Sequence, residues 1–371
     1  MKILLLNDDL PPQGRSSVAL IVEELAHAFQ KRGHGVTIFT AASVTSLEDV
    51  LKDLRPDVVH AHNIQNNLGY GVLETARAFT DNIFLTLHDV MSFSYGRMNT
   101  TRYLNNGDAR WRITDHLLRA GLRYRPWRNA RIRFALRNNV KQIFTVSEAL
   151  QHAAAQNGIR ETEVLYNGID IDAWQSSSDA IDQFVCEHKL QNRKTILFGG
   201  RLSMDKGVVP ALKALETLRK TIPNVLLLVV GDPVRFEQLI KEAGQEKLHE
   251  HVRVLGWLDR TAMKTACGAS DIVTTPSLCL DCFPTLNLEA MAVRRPVVGT
   301  IFGGTPEAVE HGVTGYVCDP RKTEEYTSHL LQLLQNDALR LTMGQKGYER
   351  VREKFSLSRQ VDFLLEYYET I

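Results

Sequence analysis

A group of glycine and basic residues follows a strand-like run in the second half of the chain. Gly200 and Arg201 end that run, and Lys206 and Gly207 stand where the next helical pattern begins. A guanidinium binds phosphate oxygens in a planar fork, an ammonium adds a compact charge, and a helix N-terminus adds N–H groups without internal partners. This spacing indicates a diphosphate site, with an ordinary basic surface turn as the alternative. It is not a Walker loop, because no Gly-Lys-Ser/Thr ends it.

Two carboxylates lie eight positions apart further along the chain. Asp281 falls in a loop after a strand-like run, and Glu289 falls inside the next helical pattern, residues 286–293. A carboxylate in such a helix can accept hydrogen bonds from two ribose hydroxyls. The backbone N–H groups of residues 283–287 would face a sugar or a phosphate. The alternative is a solvated loop acid with a glutamate on a helix surface.

Short apolar runs alternate with helical patterns, and this rhythm must position both groups of residues. The runs span residues 3–6, 36–40, 57–62, 83–88 and 143–146, and then 195–200, 225–230, 252–255, 272–275 and 296–299. Helical patterns include residues 15–32 and 207–220, and the tail from residue 322 is helical throughout. Such alternation predicts βαβ units in two doubly wound α/β halves. Ligands bind outside the carboxyl ends of parallel strands, where both groups fall.

Composition excludes several classes of protein. The 371 residues include 44 Lys+Arg and 43 Asp+Glu, so the chain as a whole is not a basic polyanion-binding protein. At about 150 residues per domain, two or three domains are expected. No apolar run approaches the ~20 residues of a membrane-spanning helix, and residues 3–6 are too short for a signal peptide core. The odd count of five cysteines is typical of reduced thiols. We expect a cytoplasmic protein.

The motifs together resemble those of the retaining GT-B glycosyltransferases of glycosyltransferase family 4, the group 1 glycosyl transferases. The family hallmark is a pair of glutamates separated by seven residues, followed by Ala-Met-Ala and a Pro-Val-Val strand. The matching residues are Asp281, Glu289, Ala290-Met291-Ala292 and Pro296-Val297-Val298, with further matches at Gly200-Arg201, Lys206-Gly207, Gly303-Gly304-Thr305-Pro306-Glu307, Gly312 to Gly315, Asn167-Gly168-Ile169-Asp170 and Leu87-His88-Asp89. The resemblance covers nearly the whole chain.

The resemblance implies the GT-B fold, an α/β architecture of two Rossmann-like, doubly wound domains with an interdomain cleft. Residues 1–170 would form the acceptor-binding domain, and the last helix, about residues 357–371, would pack back on it. Residues 171–356 would form the nucleotide-sugar-binding domain. The junction falls at Asn167-Gly168, a dipeptide typical of turns.

The resemblance also implies roles for individual residues. Arg201 and Lys206 would neutralise the donor diphosphate, Glu289 would hold the ribose hydroxyls, Asp281 would hold the transferred sugar, and His88 would hydrogen-bond that sugar. We expect His88, Arg201, Lys206 and Asp281 to be catalytic. The expected donor contacts are Gly14, Arg15, Gly200, Trp257, Phe283, Pro284, Thr285, Leu286, Asn287 and Glu289. We expect no metal and no cofactor, because family members need none and His60 and His62 lack a carboxylate partner.

The implied activity is transfer of a hexosyl group, with retention, from a nucleotide sugar to a sugar hydroxyl. UDP-glucose is our best donor, and the acceptor would be a polysaccharide, glycolipid or lipid-linked saccharide precursor. Two departures from the family pattern matter. Asp281 replaces a glutamate and is one methylene shorter, and Arg15 replaces a glycine. A catalytically weak nucleotide-sugar-binding subunit is therefore one alternative, and a GT-B nucleotide-sugar 2-epimerase is another.

One stretch of the first half is strongly basic. Residues 97–141 hold eleven arginines and Lys141 against Asp108 and Asp115, with five interleaved aromatic side chains. Such composition suits an anionic membrane surface or a lipid-diphosphate acceptor. A solvated face whose arginines pair with acidic residues is the alternative. No nucleic-acid recognition module is visible, so we expect no nucleic-acid partner. From the basic and aromatic composition we expect peripheral attachment to the inner face of a membrane.

Overall fold

The computed structural model describes residues 1–10 and 17–370. The chain divides into two compact units, unit 1 (Met1–Gly168 and Leu357–Ile371) and unit 2 (Ile169–Ser356). Within the described residues, each unit contains one six-stranded sheet flanked by helices. The domain boundary expected between residues 170 and 171 lies two residues from this division.

Unit 1 is built on a parallel sheet. Its strands are β1 (Lys2–Leu6), β2 (Gly35–Phe39), β3 (Val58–Ala61), β4 (Ile83–Leu87), β5 (Gln142–Thr145) and β6 (Thr162–Val164). Its helices before the junction are α1 (Ser17–Lys31), α2 (Leu47–Leu54), α3 (Gly71–Arg77), α4 (Thr101–Asn106), α5 (Ile113–Ala120), α6 (Arg128–Asn139) and α7 (Glu148–Gln156). The strand order is β2-β1-β3-β4-β5-β6, with every pairing parallel.

Unit 2 repeats this plan with a different strand order. Its strands are β7 (Lys194–Gly199), β8 (Val225–Val230), β9 (Val252–Gly256), β10 (Ile272–Thr275), β11 (Val297–Thr300) and β12 (Gly315–Cys318). Its helices are α8 (Ser178–Glu187), α9 (Val208–Thr221), α10 (Pro233–Glu242), α11 (Arg260–Ala269), α12 (Thr285–Ala292), α13 (Thr305–Ala308), α14 (Thr323–Gln335) and α15 (Asp337–Lys354). The order is β12-β11-β10-β7-β8-β9, and all pairings are parallel.

The last helix, α16 (Leu357–Glu369), belongs to unit 1 although it follows unit 2 in the sequence. Its residues Val361, Leu364 and Tyr368 are buried in the same apolar cluster as Val22 and Phe29 of α1. Burial of one apolar face holds an amphipathic helix against the domain that covers it. The tail predicted to be helical is thus three helices, of which the last completes the core of unit 1.

Hydrophobic patterning explains the central elements. Every residue of β8 is buried, as expected for a parallel strand covered by helices on both faces. Helix α9 buries Val208, Leu212, Leu215 and Leu218 against this sheet, at helical spacing. The predicted strands lie within two residues of those observed, and helix α12 begins at Thr285, one residue earlier than predicted. The patterns did not predict β6 and β12, which have only three and four residues.

Each sheet has one point where the strand order reverses. In unit 2 the chain runs from β7 outward to β9, then returns to place β10 on the other side of β7. In unit 1 the corresponding point lies between β1 and β3. Loops that leave neighbouring strands in opposite directions open a crevice at the carboxyl edge, which is where ligands bind in such sheets. The loops after these strands are therefore the candidate site loops.

Candidate functional site

An ion pair joins the two loops that meet at the reversal point of unit 2. Lys206, in the loop after β7, places its Nζ 2.5 Å from Oδ2 of Asp281, in the loop after β10. The Ser277 hydroxyl donates to the same carboxylate oxygen at 2.8 Å. The N–H of Leu278 also donates to the carbonyl of Asp205 at 2.7 Å. The structure thus brings two predicted site residues together across the crevice between β7 and β10.

Two glycines let these loops approach at backbone distance. Gly207 has φ of +86°, and a Cβ there would lie 1.9 Å from the carbonyl oxygen of Pro276. Gly303, after β11, has φ of +71°, and a Cβ there would lie 2.1 Å from the carbonyl oxygen of Asp281. The next N–H, of Gly304, donates to that same carbonyl at 2.9 Å. The backbone of Asp281 is therefore held by the third loop, while its side chain is held by the first.

The cationic part of the site lies where α9 begins. A short 3-10 turn, Met204–Lys206, precedes α9, so Lys206 stands at the positive end of a 14-residue helix. Arg201 is exposed and follows Gly200, whose φ is +112° and whose missing side chain leaves open space. Guanidinium, ammonium and helix N-terminus all follow one strand. This combination can bind a diphosphate.

Asn287 is held by hydrogen bonds to residues of β10 and α13. Its side chain is completely buried, accepts a hydrogen bond from the Thr275 hydroxyl at 2.9 Å and faces the Thr305 hydroxyl at 3.2 Å. Its own N–H donates to the carbonyl of Pro284 at 3.1 Å. The residue therefore fixes the start of α12 against β10 and α13, and its predicted contact with the donor stays a prediction.

The other residues predicted as donor contacts near the start of α12 differ in what their groups can donate. Pro284 has no N–H to donate, the Phe283 ring is buried 5.6 Å from that of Phe355, and Leu286 is buried beneath the end of β7. The expectation that every N–H from 283 to 287 faces the ligand is therefore wrong. In the first turn of α12, the backbone N–H groups of Thr285 and Leu286 have no acceptor within the helix.

Glu289 and Trp257 lie further along the same edge of unit 2. Glu289 is half-buried on α12, and its carbonyl accepts a hydrogen bond from the indole of Trp174 at 2.9 Å, which fixes this turn of the helix. Burial, and then the nearby Glu289, raise the pKa of the Cys267 thiol. Trp257 follows Gly256 at the end of β9 and is 49 % exposed. Their contacts with a ribose or a base stay predictions.

In unit 1, three neutral histidines lie at and just after the ends of β3 and β4. His62 Nδ1 lies 3.0 Å from His88 Nε2, and the His62 ring stacks on His60 with centroids 4.4 Å apart. His60 in turn contacts the Tyr368 hydroxyl and lies 2.8 Å from the Thr86 hydroxyl. Burial lowers the pKa of His60 and of His88 to about 3 and shifts that of His62 well down.

Two ring nitrogens of this cluster are buried without a partner in the part of the chain that the structure describes: His62 Nε2 and His88 Nδ1. A neutral imidazole has one donor and one acceptor nitrogen. Because the two rings share one hydrogen bond, one of the remaining nitrogens is a donor and the other an acceptor. The pair can therefore donate one hydrogen bond to a hydroxyl group and accept one from it. The predicted contact of His88 with the sugar stays a prediction, and Gly14 and Arg15 lie outside the described residues.

Two adjoining cavities of about 460 and 620 Å³ lie in unit 1 beside the basic segment. Tyr70, Trp127, Arg131 and Ile132 line both, and Gln65 of the loop after β3 lines the smaller one. Aromatic rings with hydrogen-bonding groups at their rim suit saccharides. This volume is typical of small-molecule pockets.

The basic segment, residues 97–141, also carries exposed apolar side chains. Leu118, Leu122, Trp127 and Phe134 are exposed. Arg102 and Arg110 pair with the segment's own two aspartates. Among residues 1–10 and 17–370, the arginines without an ion pair include Arg119, Arg123, Arg125, Arg131, Arg133 and Arg137. No helix in the described residues is long and apolar enough to span a membrane.

Two family models match the chain. The model described as "Glycosyl transferases group 1" matches residues 181–350, and the model described as "Glycosyltransferase Family 4" matches residues 41–173. Together they cover most of the chain: the first lies within unit 2, and all but the last five residues of the second lie in unit 1. Each model includes residues that the sequence analysis assigned to the site.

Curated relatives and solved structures are similar to the chain. Glycogen synthase from Mycobacterium tuberculosis is 29% identical over 53% of this chain and 46% of that protein. Phosphatidyl-myo-inositol mannosyltransferase from Mycobacterium leprae is 30% identical over 55% and 52%. The chain thus spans about half the length of these relatives. The crystal structure of HepE from Anabaena, in complex with UDP and glucose, matches with a TM-score of 0.75 and 20% identity over 100% of both chains, which shows a shared fold.

We predict that alanine at Gly303 is far more costly than alanine at Gly312. Both glycines have positive φ, +71° and +75°, but a Cβ meets the Asp281 backbone only at Gly303. Gly312→Ala should cost roughly 1 kcal/mol for the left-handed backbone alone, and Gly303→Ala roughly 3 kcal/mol or more. Urea unfolding monitored by circular dichroism measures both. Equal losses would show that the close approach to Asp281 is not required.

We predict that unit 1 loses stability as the pH falls from 7 to 5. Burial lowers the pKa of His60 and His88, so the unfolded chain takes up protons near pH 6.5 while the folded chain does so only near pH 3. Each histidine should then cost roughly 2 kcal/mol by pH 5. His60→Gln should flatten the dependence of the unfolding free energy on pH, and His152→Gln, at an exposed position, should not. An unchanged slope in His60→Gln would contradict the assignment.

Proposed function

We propose that this chain, which belongs to the group 1 glycosyl transferases of glycosyltransferase family 4, transfers a hexosyl group from a nucleotide sugar to an acceptor hydroxyl. The observation that carries the proposal is the ion pair between Lys206 and Asp281, in the loops that flank the reversal point of unit 2. Ligands of doubly wound sheets bind at that point. A cation for phosphate and an acceptor for sugar hydroxyls therefore stand side by side.

The donor diphosphate would lie against Arg201, Lys206 and the N-terminus of α9. The Lys206 ammonium has three protons, of which one is directed at Asp281, so two can be shared with phosphate oxygens. When the sugar leaves, negative charge grows on the outer phosphate. Cations and dipoles already aimed there stabilise that charge without rearrangement, which is usually the largest contribution to catalysis.

Side chains around this point would hold the rest of the donor. Asp281 and the first turn of α12 would hold the transferred sugar, Glu289 the ribose hydroxyls, and Trp257 would border the base. UDP-glucose is our preferred donor. The shared fold with HepE, whose crystal structure contains UDP and glucose, supports this choice. Asp281 is one methylene shorter than glutamate, and Lys206 and Ser277 hold its Oδ2 in place.

We propose that transfer retains the anomeric configuration and requires neither a metal nor a cofactor. The acceptor hydroxyl would attack from the face that the phosphate leaves, and the departing phosphate oxygen would take its proton. Arg201 and Lys206 supply the positive charge at the leaving group. No protein nucleophile is part of this scheme.

The acceptor would be bound by unit 1. A polysaccharide, glycolipid or lipid-linked saccharide fits the aromatic cavities beside Tyr70 and Trp127. The exposed side chains of Leu118, Leu122 and Phe134 among unpaired arginines suit an anionic membrane surface on the cytoplasmic side. The similarity to a relative named for a phosphatidyl-myo-inositol substrate supports a lipid acceptor.

We predict that Arg201→Gln weakens UDP binding roughly 10- to 100-fold, because it removes hydrogen bonds between a charged donor and phosphate. Lys213→Gln, on an exposed position of α9, is the matched control and should bind UDP like the parent protein. Isothermal titration calorimetry measures both constants. Equal affinity in the two variants would overturn the diphosphate assignment.

We predict that Glu289→Gln weakens the binding of UDP much more than that of 2′-deoxy-UDP. The carboxylate should accept hydrogen bonds from both ribose hydroxyls, and the deoxy nucleotide lacks one of them. The ratio of the two affinities should fall roughly 5-fold or more in the variant. A ratio that does not change would show that Glu289 does not contact the ribose.

We predict that Arg119→Gln/Arg123→Gln/Arg131→Gln binds anionic liposomes roughly 100-fold more weakly, since each basic residue near such a surface contributes about 1 kcal/mol. The control, Lys213→Gln/Lys220→Gln/Lys354→Gln, removes the same charge from unit 2. Co-sedimentation with liposomes of mixed neutral and anionic phospholipid measures both. Absence of liposome binding by the parent protein would eliminate the membrane proposal.

The weak-binding alternative makes a different prediction for the same site. A subunit that only binds nucleotide sugars would bind UDP-glucose but release no UDP when supplied with acceptors. Asp281→Glu, which restores the family residue, would then restore no turnover. A 2-epimerase would instead release or epimerise the sugar without any acceptor.

A further inference from the structure

A third cavity of unit 1, of about 550 Å³, lies where α6 passes the C-terminal end of α7. Helix α7 starts after β5 and ends before β6, so it runs back along the sheet. Its C-terminal end is therefore directed away from the carboxyl edge that holds His88. The residues that line the cavity are Trp111, His116, Asn129, Arg133, Arg137, Gln156, Asn157, Gly158 and Arg160.

The lining of this cavity is strongly cationic. It includes Arg133 and Arg137, one turn apart on α6, and Arg160 before β6, and it includes no carboxylate. In the part of the chain that the structure describes, none of these three guanidinium groups forms an ion pair. Gly158, at φ of +87°, lets the Arg133 side chain lie across the end of α7, 3.0 Å from where a Cβ would stand.

Two residues of the lining carry ring nitrogens without hydrogen-bond partners in the described part of the chain. The Trp111 Nε1 and the His116 Nδ1 are buried and make no hydrogen bond with any described residue. The Asn129 amide nitrogen donates to the Phe93 carbonyl at 2.8 Å and faces His116 Nε2 at 3.5 Å. Burial lowers the pKa of His116 and so favours the neutral ring, which carries a single proton. Because the Asn129 amide nitrogen only donates, Nε2 of His116 accepts and the proton is on Nδ1. Both unpartnered nitrogens therefore carry hydrogens.

The wall that carries the indole is tied to α7. The backbone N–H of Trp111 donates to the side-chain oxygen of Asn157 at 3.0 Å. The side-chain nitrogen of Asn157 donates to the Ala109 carbonyl at 2.8 Å. The Ala109 N–H donates to the Gln156 side chain at 2.8 Å. The Trp111 and His116 rings also stack, with centroids 5.4 Å apart. The unpartnered donors are thus held in place before any ligand binds.

We propose that this cavity is a phosphate-binding site, separate from the donor site, that takes the phosphate group of a phosphorylated small molecule or lipid headgroup. Phosphate oxygens only accept hydrogen bonds when ionised, and guanidinium groups bind them in bidentate fashion. Three guanidinium groups without an ion pair among the described residues, in a lining that includes no carboxylate and two residues with unpartnered ring N–H groups, match that chemistry. The site extends the chain's ligands beyond the nucleotide sugar and does not depend on the activity proposed above.

Calorimetric titration of the full chain tests the site with two probes, glucose 6-phosphate and a water-soluble short-chain phosphatidic acid. The parent protein should bind at least one saturably. Arg133→Gln/Arg137→Gln should weaken that binding roughly 100-fold, and Trp111→Phe, which keeps the ring but removes the N–H, roughly 10-fold. Arg160→Gln, at an exposed position, gives a third variant with little risk to folding.

Two controls separate the cavity from other cations. Lys213→Gln/Lys220→Gln removes the same charge from exposed positions of unit 2 and should bind the probes like the parent protein, and Arg201→Gln reports any binding at the donor site. Tighter binding of the phosphatidic acid would identify a lipid headgroup as the source, and tighter binding of the sugar phosphate a soluble ligand. Lack of binding of either probe, or binding lost only in Arg201→Gln, would overturn the proposal.

Discussion

The ion pair between Lys206 and Asp281 is the interaction on which the proposed donor site depends. It joins the loops after β7 and β10, which leave the sheet of unit 2 in opposite directions. Both side chains are largely buried, at 23% and 14% exposure, so removal of either would leave a charge without its partner. The same pair sets an ammonium beside a carboxylate at the reversal point. A phosphate and a sugar hydroxyl can then each find the complementary group.

Glycine makes this pairing possible. The loops carrying Lys206 and Asp281 approach within backbone contact at Gly207, and the loop after β11 does the same at Gly303. Both positions have positive φ, which a side chain would strain even without the clash. The buried amide of Asn287 then locks the start of α12 between Thr275 and Thr305. The site is therefore built from main-chain contacts first, and its few charged side chains are positioned by them.

Sequence reasoning located what depends on local pattern and on the rule for parallel sheets. The all-apolar run of β8 predicts a central strand, and the placement of motifs after strands predicts that Lys206 and Asp281 meet. Sequence reasoning could not supply hydrogen-bond partners that are distant in the chain, or strands that are very short. Asn287 reads as a polar residue at a ligand-facing helix end, and only the fold supplies Thr275 and Thr305 as its partners. His60 and Tyr368 are 308 positions apart, and the edge strands β6 and β12 are too short to show a period.

The most direct test of the account is the unfolding midpoint of the purified protein with UDP, GDP, ADP and their common sugar conjugates. A ligand at 100 times its dissociation constant should add roughly 2.7 kcal/mol to the free energy of unfolding. The account predicts a rise with UDP and UDP-glucose, absent in Lys206→Met. A rise with none of these ligands, or one that persists in Lys206→Met, would contradict the claim that the Lys206–Asp281 pair forms a nucleotide-sugar site.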